Sequence, residues 1–151
     1  YNLILEVSSN DKENFSKNLK KIFNQYKLKI DKIEKNKSKS NIWKKREEIV
    51  HKQRQLNFNH KFDISLPLSN WQIFLNKINN FISQESCYTP YFFGHLGDGN
   101  LHCNFKITDD DMIKKNALSK FIFELVVQLK GSIAAEHGIG TQKLLRFGYY
   151  W

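Results

Sequence analysis

Three of the five histidines of this 151-residue chain, and one carboxylate beside them, fall in two short glycine-rich stretches. Residues 91–105 read Y-F-F-G-H-L-G-D-G-N-L-H-C-N-F and place His95 and His102 on either side of a polar, glycine-containing connection between two apolar segments. Residues 131–140, G-S-I-A-A-E-H-G-I-G, add Glu136 and His137. Two imidazoles and a carboxylate, here His95, His102 and Glu136, can bind a divalent transition metal and leave coordination positions open for water or substrate. Open positions serve chemistry rather than structural stapling. The competing reading makes each histidine a satisfied polar residue beside a turn. His137, next to the carboxylate, is open to two roles, a fourth ligand or a base beside the metal-bound group.

Hydrophobic periodicity supplies the elements that must carry these residues. Residues 1–8 alternate Leu3, Leu5 and Val7 against Asn2, Ile4 and Glu6, which predicts a strand, and a chain that begins inside a strand points to a segment upstream. Ser9 and Asn10 are placed to cap a helix with Phe15, Leu19, Ile22, Phe23 and Tyr26 on the face that packs on a sheet. Leu28, Ile30 and Ile33 predict a second strand, completing a β-α-β unit before a polar loop over 35–41. Residues 42–55 predict a further helix with Trp43, Ile49 and Val50 apolar. Residues 61–66 alternate Phe62, Ile64 and Leu66 against Lys61, Asp63 and Ser65, a strand closed by Pro67.

Ser69 then caps a helix buried through Ile73, Phe74, Ile78, Phe81 and Ile82, which Pro90 keeps from continuing. Residues 91–95 and 102–107 predict a hairpin joined over 96–101, with Gly97 and Gly99 supplying positive φ. The expected register pairs His95 with His102, and alternation puts His102, Asn104 and Lys106 on one face. The last helix follows a cap at 108–111 and buries Ile113, Ala117, Leu118, Phe121, Ile122, Leu125, Val126 and Leu129 before Gly131. The order β-α-β-α-β-α-β-β-α predicts an α+β fold: a mainly antiparallel sheet with helices packed on one face and ferredoxin-like β-α-β elements.

A chain of this length with 40% hydrophobic residues buries a real core and is expected to form one domain. The net charge of +9 is lopsided: residues 1–60 carry 15 Lys/Arg against 7 Asp/Glu, and residues 61–151 carry 9 against 8. The excess lies away from the histidine-rich stretches, is mostly lysine interspersed with asparagine, and lacks aromatic interleaving, so a solvated surface is expected and nucleic acid is not. Cys87 and Cys103 have neither metal-ligand spacing nor disulfide density and read as buried thiols. No leader and no apolar run of about 20 residues is present, so a soluble protein, cytoplasmic or peripheral to the inner membrane face, is expected.

Four segments in order, W-K-K-R-E (43–47), K-F-D-I-S-L-P (61–67), G-H-L-G-D-G-N-L-H-C-N (94–104) and A-E-H-G-I-G-x-x-K (135–143), carry a resemblance that spacing does not supply. They resemble the C-terminal, substrate-binding cap domain of the FAD-linked oxidases, among them D-lactate dehydrogenases, the glycolate oxidase FAD subunit and D-2-hydroxyglutarate dehydrogenase. The resemblance implies that His95, His102 and Glu136 are the metal ligands, with zinc the leading choice, and that His137 is the base. Arg46 and Lys61 would hold the substrate carboxylate, Asn104 would contact the substrate, and Gly138 and Gly140 would let the backbone approach the flavin. The implied reaction oxidises a small 2-hydroxy acid to a 2-oxo acid with hydride transfer to FAD.

The FAD-binding domain of that family is absent from these residues, and its final segment after the A-E-H-G-I-G motif is missing. The chain is therefore expected to be a single cap domain truncated at both ends. Its partners would be an FAD-binding domain of the same or a companion chain and a downstream electron acceptor of unknown kind, and alone it would be inactive. Val50 stands where some 2-hydroxyglutarate enzymes carry a threonine toward the distal carboxylate, which bears on which acid is used. Two other readings are a non-catalytic module that uses the basic N-terminal half, and a degenerate remnant without function.

Overall fold

A computed structural model describes residues 3–5, 10–27, 29, 41–136 and 138. The chain divides into two compact units, Tyr1–Lys52 and Gln53–Trp151. In the first, helix α1 (Lys12–Gln25) is capped by Asp11, whose Oδ1 accepts the Asn14 backbone N–H at 3.1 Å. The cap is thus one residue beyond the expected Ser9–Asn10, because a carboxylate satisfies the free N–H groups of the first turn and favours the positive end of the helix dipole. Phe15, Leu19 and Phe23 are half-buried, while Ile22 and Tyr26 are exposed. Of the two strands expected around this helix, residues 3–5 and 29 carry no regular structure and the rest lie outside the described residues. Helix α2 (Asn41–Gln55) follows, close to the expected 42–55.

The second unit contains strand β1 (His60–Ser65), helix α3 (Trp71–Ile82), strands β2 (Tyr88–His95) and β3 (Asn100–Ile107), and helix α4 (Met112–Gln128). The strands form an antiparallel sheet in the order β1-β3-β2. Strands β1 and β2 are therefore parallel to each other with β3 between them, and α3 makes the crossover of a split β-α-β unit. After α4 the chain returns along the outer edge of β1. There Ser65 and Ser132 exchange backbone hydrogen bonds of 2.9 Å each, and the Ala135 N–H donates to the Asp63 carbonyl at 3.3 Å. The architecture is α+β, as the periodicity implies. Pro90 sits inside β2, where its missing N–H is tolerated because β2 is an edge of the three-stranded sheet.

Alternation sorts the strand residues into two faces. Phe62 and Ile64 of β1 and Leu101, Cys103, Phe105 and Ile107 of β3 pack with Phe74, Ile78 and Ile82 of α3 and Leu118, Ile122 and Val126 of α4. Burying a side chain of this size stabilises the fold by about 1.5–3 kcal/mol. Aromatic edges lock the layers, with Phe62 meeting both Phe105 and Phe123 edge-on and Phe81 of α3 stacking on Phe121 of α4 at 4.3 Å. Ala117 lies exposed, and two larger expected core residues are not in the core either: Ile73 is 46% and Ile113 is 79% exposed. Each stands five residues before a stripe residue, Ile78 or Leu118, and at 3.6 residues per turn five residues lead toward the opposite side of the helix. Leu75 and Phe123 are buried instead.

Helix α4 is capped by Asp111, whose Oδ1 accepts the N–H groups of Ile113 and Lys114 at 2.8 and 3.3 Å. The β2–β3 connection spans only residues 96–99, shorter than expected. Of its glycines, only Gly99 has a positive φ, +74°, and a Cβ there would lie 2.4 Å from the Leu66 carbonyl oxygen. The Leu66 N–H donates to the Gly99 carbonyl at 3.0 Å, so the turn is pinned to the end of β1.

Candidate metal centre

The shorter connection changes the register. His95 lies opposite Asn100, and His102 opposite Phe93, so the expected direct pairing of His95 with His102 is incorrect. The register is set by the length of the connection, and β3 begins at Asn100 rather than His102. A shift by two residues preserves the face. His95 and His102 are diagonal neighbours with ring centroids 5.8 Å apart, edge to face. Phe93 stacks on the His102 ring at 4.6 Å, restricting its rotation from the β2 side.

Glu136 reaches the same place from the segment paired with β1. Its Oε1 lies 3.8 Å from His95 Nε2 and its Oε2 lies 3.9 Å from His102 Nε2. One ligand atom from each of the three residues falls within 4.8 Å of the other two. A tetrahedral zinc with bonds of about 2.0–2.1 Å holds its ligand atoms roughly 3.3 Å apart, so the trio is slightly open relative to a loaded site. Its chemistry fits: two imidazole nitrogens and a carboxylate oxygen match zinc and other divalent transition metals. Glu136 and His95 are partly exposed, with side-chain exposures of 47% and 37%, whereas His102 is at 11%, so the site has a buried floor and an open side.

The floor is the polar face of the sheet. Asp63 and Lys61 of β1 lie opposite His102 and Asn104 of β3, and Asn100 lies between Ser65 and His95. Asp63, Asn100, His102 and Asn104 are all buried. Asp63 Oδ1 lies 3.2 Å from His102 Nδ1, an ion-pair distance rather than an in-line hydrogen bond, and Asp63 Oδ2 accepts the Glu136 backbone N–H at 2.8 Å. Among the described residues neither polar atom of the buried Asn100 side chain, Oδ1 or Nδ2, has a hydrogen-bond partner. An amide in that state is a costly feature for stability alone. Cys103, in the same strand but on the apolar face, is no ligand candidate: burial pushes its thiol well above the ordinary range, and the Asp63 carboxylate adds to the rise.

Lys61 is exposed on the same face, with its Cα partnered by Asn104. Arg46 belongs to the other unit, on α2, with its guanidinium 5.8 Å from the Trp43 ring centroid. Gly138 is exposed with φ +67°. His137, Gly140 and Lys143, and the side chain of Val50, lie outside the described residues. Reading residues alone missed Asp63, Phe93 and Asn100. The available signal for Asp63 was its place between Phe62 and Ile64, since an acidic residue is disfavoured inside a strand without a partner.

The family description "FAD linked oxidases, C-terminal domain" matches residues 1–151, and the chain belongs to that family. It is 36% identical over 113 residues to a D-2-hydroxyglutarate dehydrogenase of Stutzerimonas stutzeri (strain A1501), covering 68% of this chain and 23% of that protein. A mitochondrial D-2-hydroxyglutarate dehydrogenase of Danio rerio is 31% identical over 102 residues, 68% of this chain and 19% of the relative. A putative mitochondrial D-lactate dehydrogenase of Schizosaccharomyces pombe is 32% identical over 118 residues, 72% and 22% respectively. The chain spans about a fifth of the length of these relatives. Among the described residues no helix is long and apolar enough to cross a membrane.

Proposed function

We propose that the chain is the substrate- and metal-binding cap domain of a flavin-dependent D-2-hydroxy-acid dehydrogenase. The observation that carries the proposal is the convergence of His95, His102 and Glu136, from two separate segments, on one point within 4.8 Å. His95, His102 and Glu136 would hold the divalent metal, zinc first among the candidates. Bound there, it would lower the pKa of a 2-hydroxyl group and fix its oxygen. FAD, supplied by an FAD-binding domain of the same or a companion chain, would take the hydride from C2.

The residues of this chain have the remaining tasks. Lys61 and Arg46 neutralise and orient the anionic acid, Arg46 having the geometry for a bidentate grip. Asn104, on the polar face beside His102, supplies a polar contact. His137, adjacent in sequence to Glu136, accepts the hydroxyl proton as a neutral imidazole. Gly138 and Gly140 leave room for close backbone approach to the flavin. Without a hydride acceptor the isolated chain binds acid and turns nothing over.

Calorimetric titration of the zinc-loaded chain with D-lactate, glycolate and D-2-hydroxyglutarate tests this. Binding is expected for at least one acid, weaker without zinc and weaker for the L enantiomer of a chiral acid. Absence of binding, or binding indifferent to zinc, would overturn the proposal. Dehydrogenase activity of the pure chain without FAD would overturn its predicted inactivity.

A further inference from the structure

We infer that Asp63 is the positioning residue of the metal centre, holding two of its three ligands from one carboxylate. The inference rests on the metal reading above and adds a residue to it. Asp63 stands in the middle of β1, on the polar face, and its side chain is only 8% exposed. An acidic group at such a position needs partners, and its two oxygens reach two different chain segments. Oδ1 approaches His102 Nδ1 in β3 at 3.2 Å, and Oδ2 accepts the Glu136 N–H in the segment after α4 at 2.8 Å. The Asp63 backbone joins in, its carbonyl accepting the Ala135 N–H.

Each contact has a consequence for ligation. A neutral imidazole carries one N–H, and a negative carboxylate oxygen 3.2 Å from Nδ1 favours the proton on Nδ1, since a lone pair there would face like charge. The lone pair is then on Nε2, the atom that faces Glu136 at 3.9 Å. A carboxylate behind a metal-binding histidine also fixes the ring and raises its basicity. The second contact anchors the backbone of Glu136, which has no helix or long strand of its own to hold it. Asp63 thus ties the most buried ligand, His102, to Glu136 on a less regular segment.

Two measurements on the whole chain decide this. Long-range proton–nitrogen correlation spectra of the histidine rings, in metal-free wild-type chain above pH 8, are expected to show His102 as the Nδ1–H tautomer. Competition with a chromophoric chelator is expected to show zinc affinity falling about 10-fold in Asp63→Asn and about 100-fold in Asp63→Ala, the range that loss of an outer partner costs. A merely structural Asp63 would lower thermal stability while leaving zinc affinity of the folded chain unchanged. That result for Asp63→Asn, or a wild-type His102 protonated at Nε2, overturns the inference. Should the wild type bind no zinc, the metal reading fails, and the His102 tautomer still decides for or against Asp63. The wild-type spectrum needs no variant to fold.

Discussion

The two faces of β3 are both buried, yet they are built from opposite chemistry. Leu101, Cys103, Phe105 and Ile107 point into the aliphatic and aromatic layer under α3 and α4, while Asn100, His102 and Asn104 share the other face with Asp63. The apolar face gains free energy from every residue it buries. The polar face does not, because each buried amide, imidazole or carboxylate exchanges water for an imperfect partner. One set of alternating residues therefore stabilises the sheet, and the other set uses that stability to hold a constellation that would not assemble unaided. Such an arrangement is expected where stability is traded for a site.

The largest effect is expected on the apolar face. Ile122→Ala, at a fully buried position, is expected to cost about 2–5 kcal/mol in urea unfolding, while Ile113→Ala, in the exposed first turn of the same helix, stays within about 0.5 kcal/mol. Equal losses would mean that the layer assignment is wrong. An intermediate effect of opposite sign is expected on the polar face. Asn100→Leu removes an amide with no partner among the described residues and is expected to raise stability by about 1–3 kcal/mol in the metal-free chain. A loss of stability there would show that the amide is satisfied by internal water.

The smallest effect belongs to the solvated surface, neither face of the sheet. The Lys114 ammonium beside Glu85 holds that carboxyl below the ordinary glutamate range, with burial opposing the shift. A carboxylate with a lowered folded pKa contributes stability above its unfolded pKa and loses it as the pH falls through its folded value. Glu85→Gln should therefore flatten the stability profile slightly on the acid side, below about pH 4.5, and added salt should remove the difference. A change confined to alkaline pH would contradict the pairing.

Much of this organisation was legible in the residues. The alternation of 61–66, the hairpin and the helix over 42–55 each followed from a period of two or of 3.6 with few competing patterns. The stripe residues common to both readings, Phe74, Ile78, Leu118 and Ile122, show the same. What escaped were properties that belong to contacts rather than to periods. The hairpin register depends on whether Asn100 opens β3 or closes the turn, and the residue types allow both. Asp63 looked like any polar strand residue, since its meaning lies in two partners 39 and 73 residues away. Likewise the Ser65–Ser132 bridge, which carries Glu136 alongside β1, has no local signature. His95, His102 and Glu136 were recognisable as a donor set, but their convergence is a tertiary fact.

Whether this donor set holds a metal is tested most directly by X-ray absorption at the zinc edge on the zinc-loaded chain. One zinc per chain is expected, bound by imidazole nitrogens and carboxylate oxygen with no sulfur, and that spectrum is expected to be lost in His102→Ala. A sulfur-containing shell, a shell without imidazole, or an unchanged spectrum in His102→Ala would contradict it.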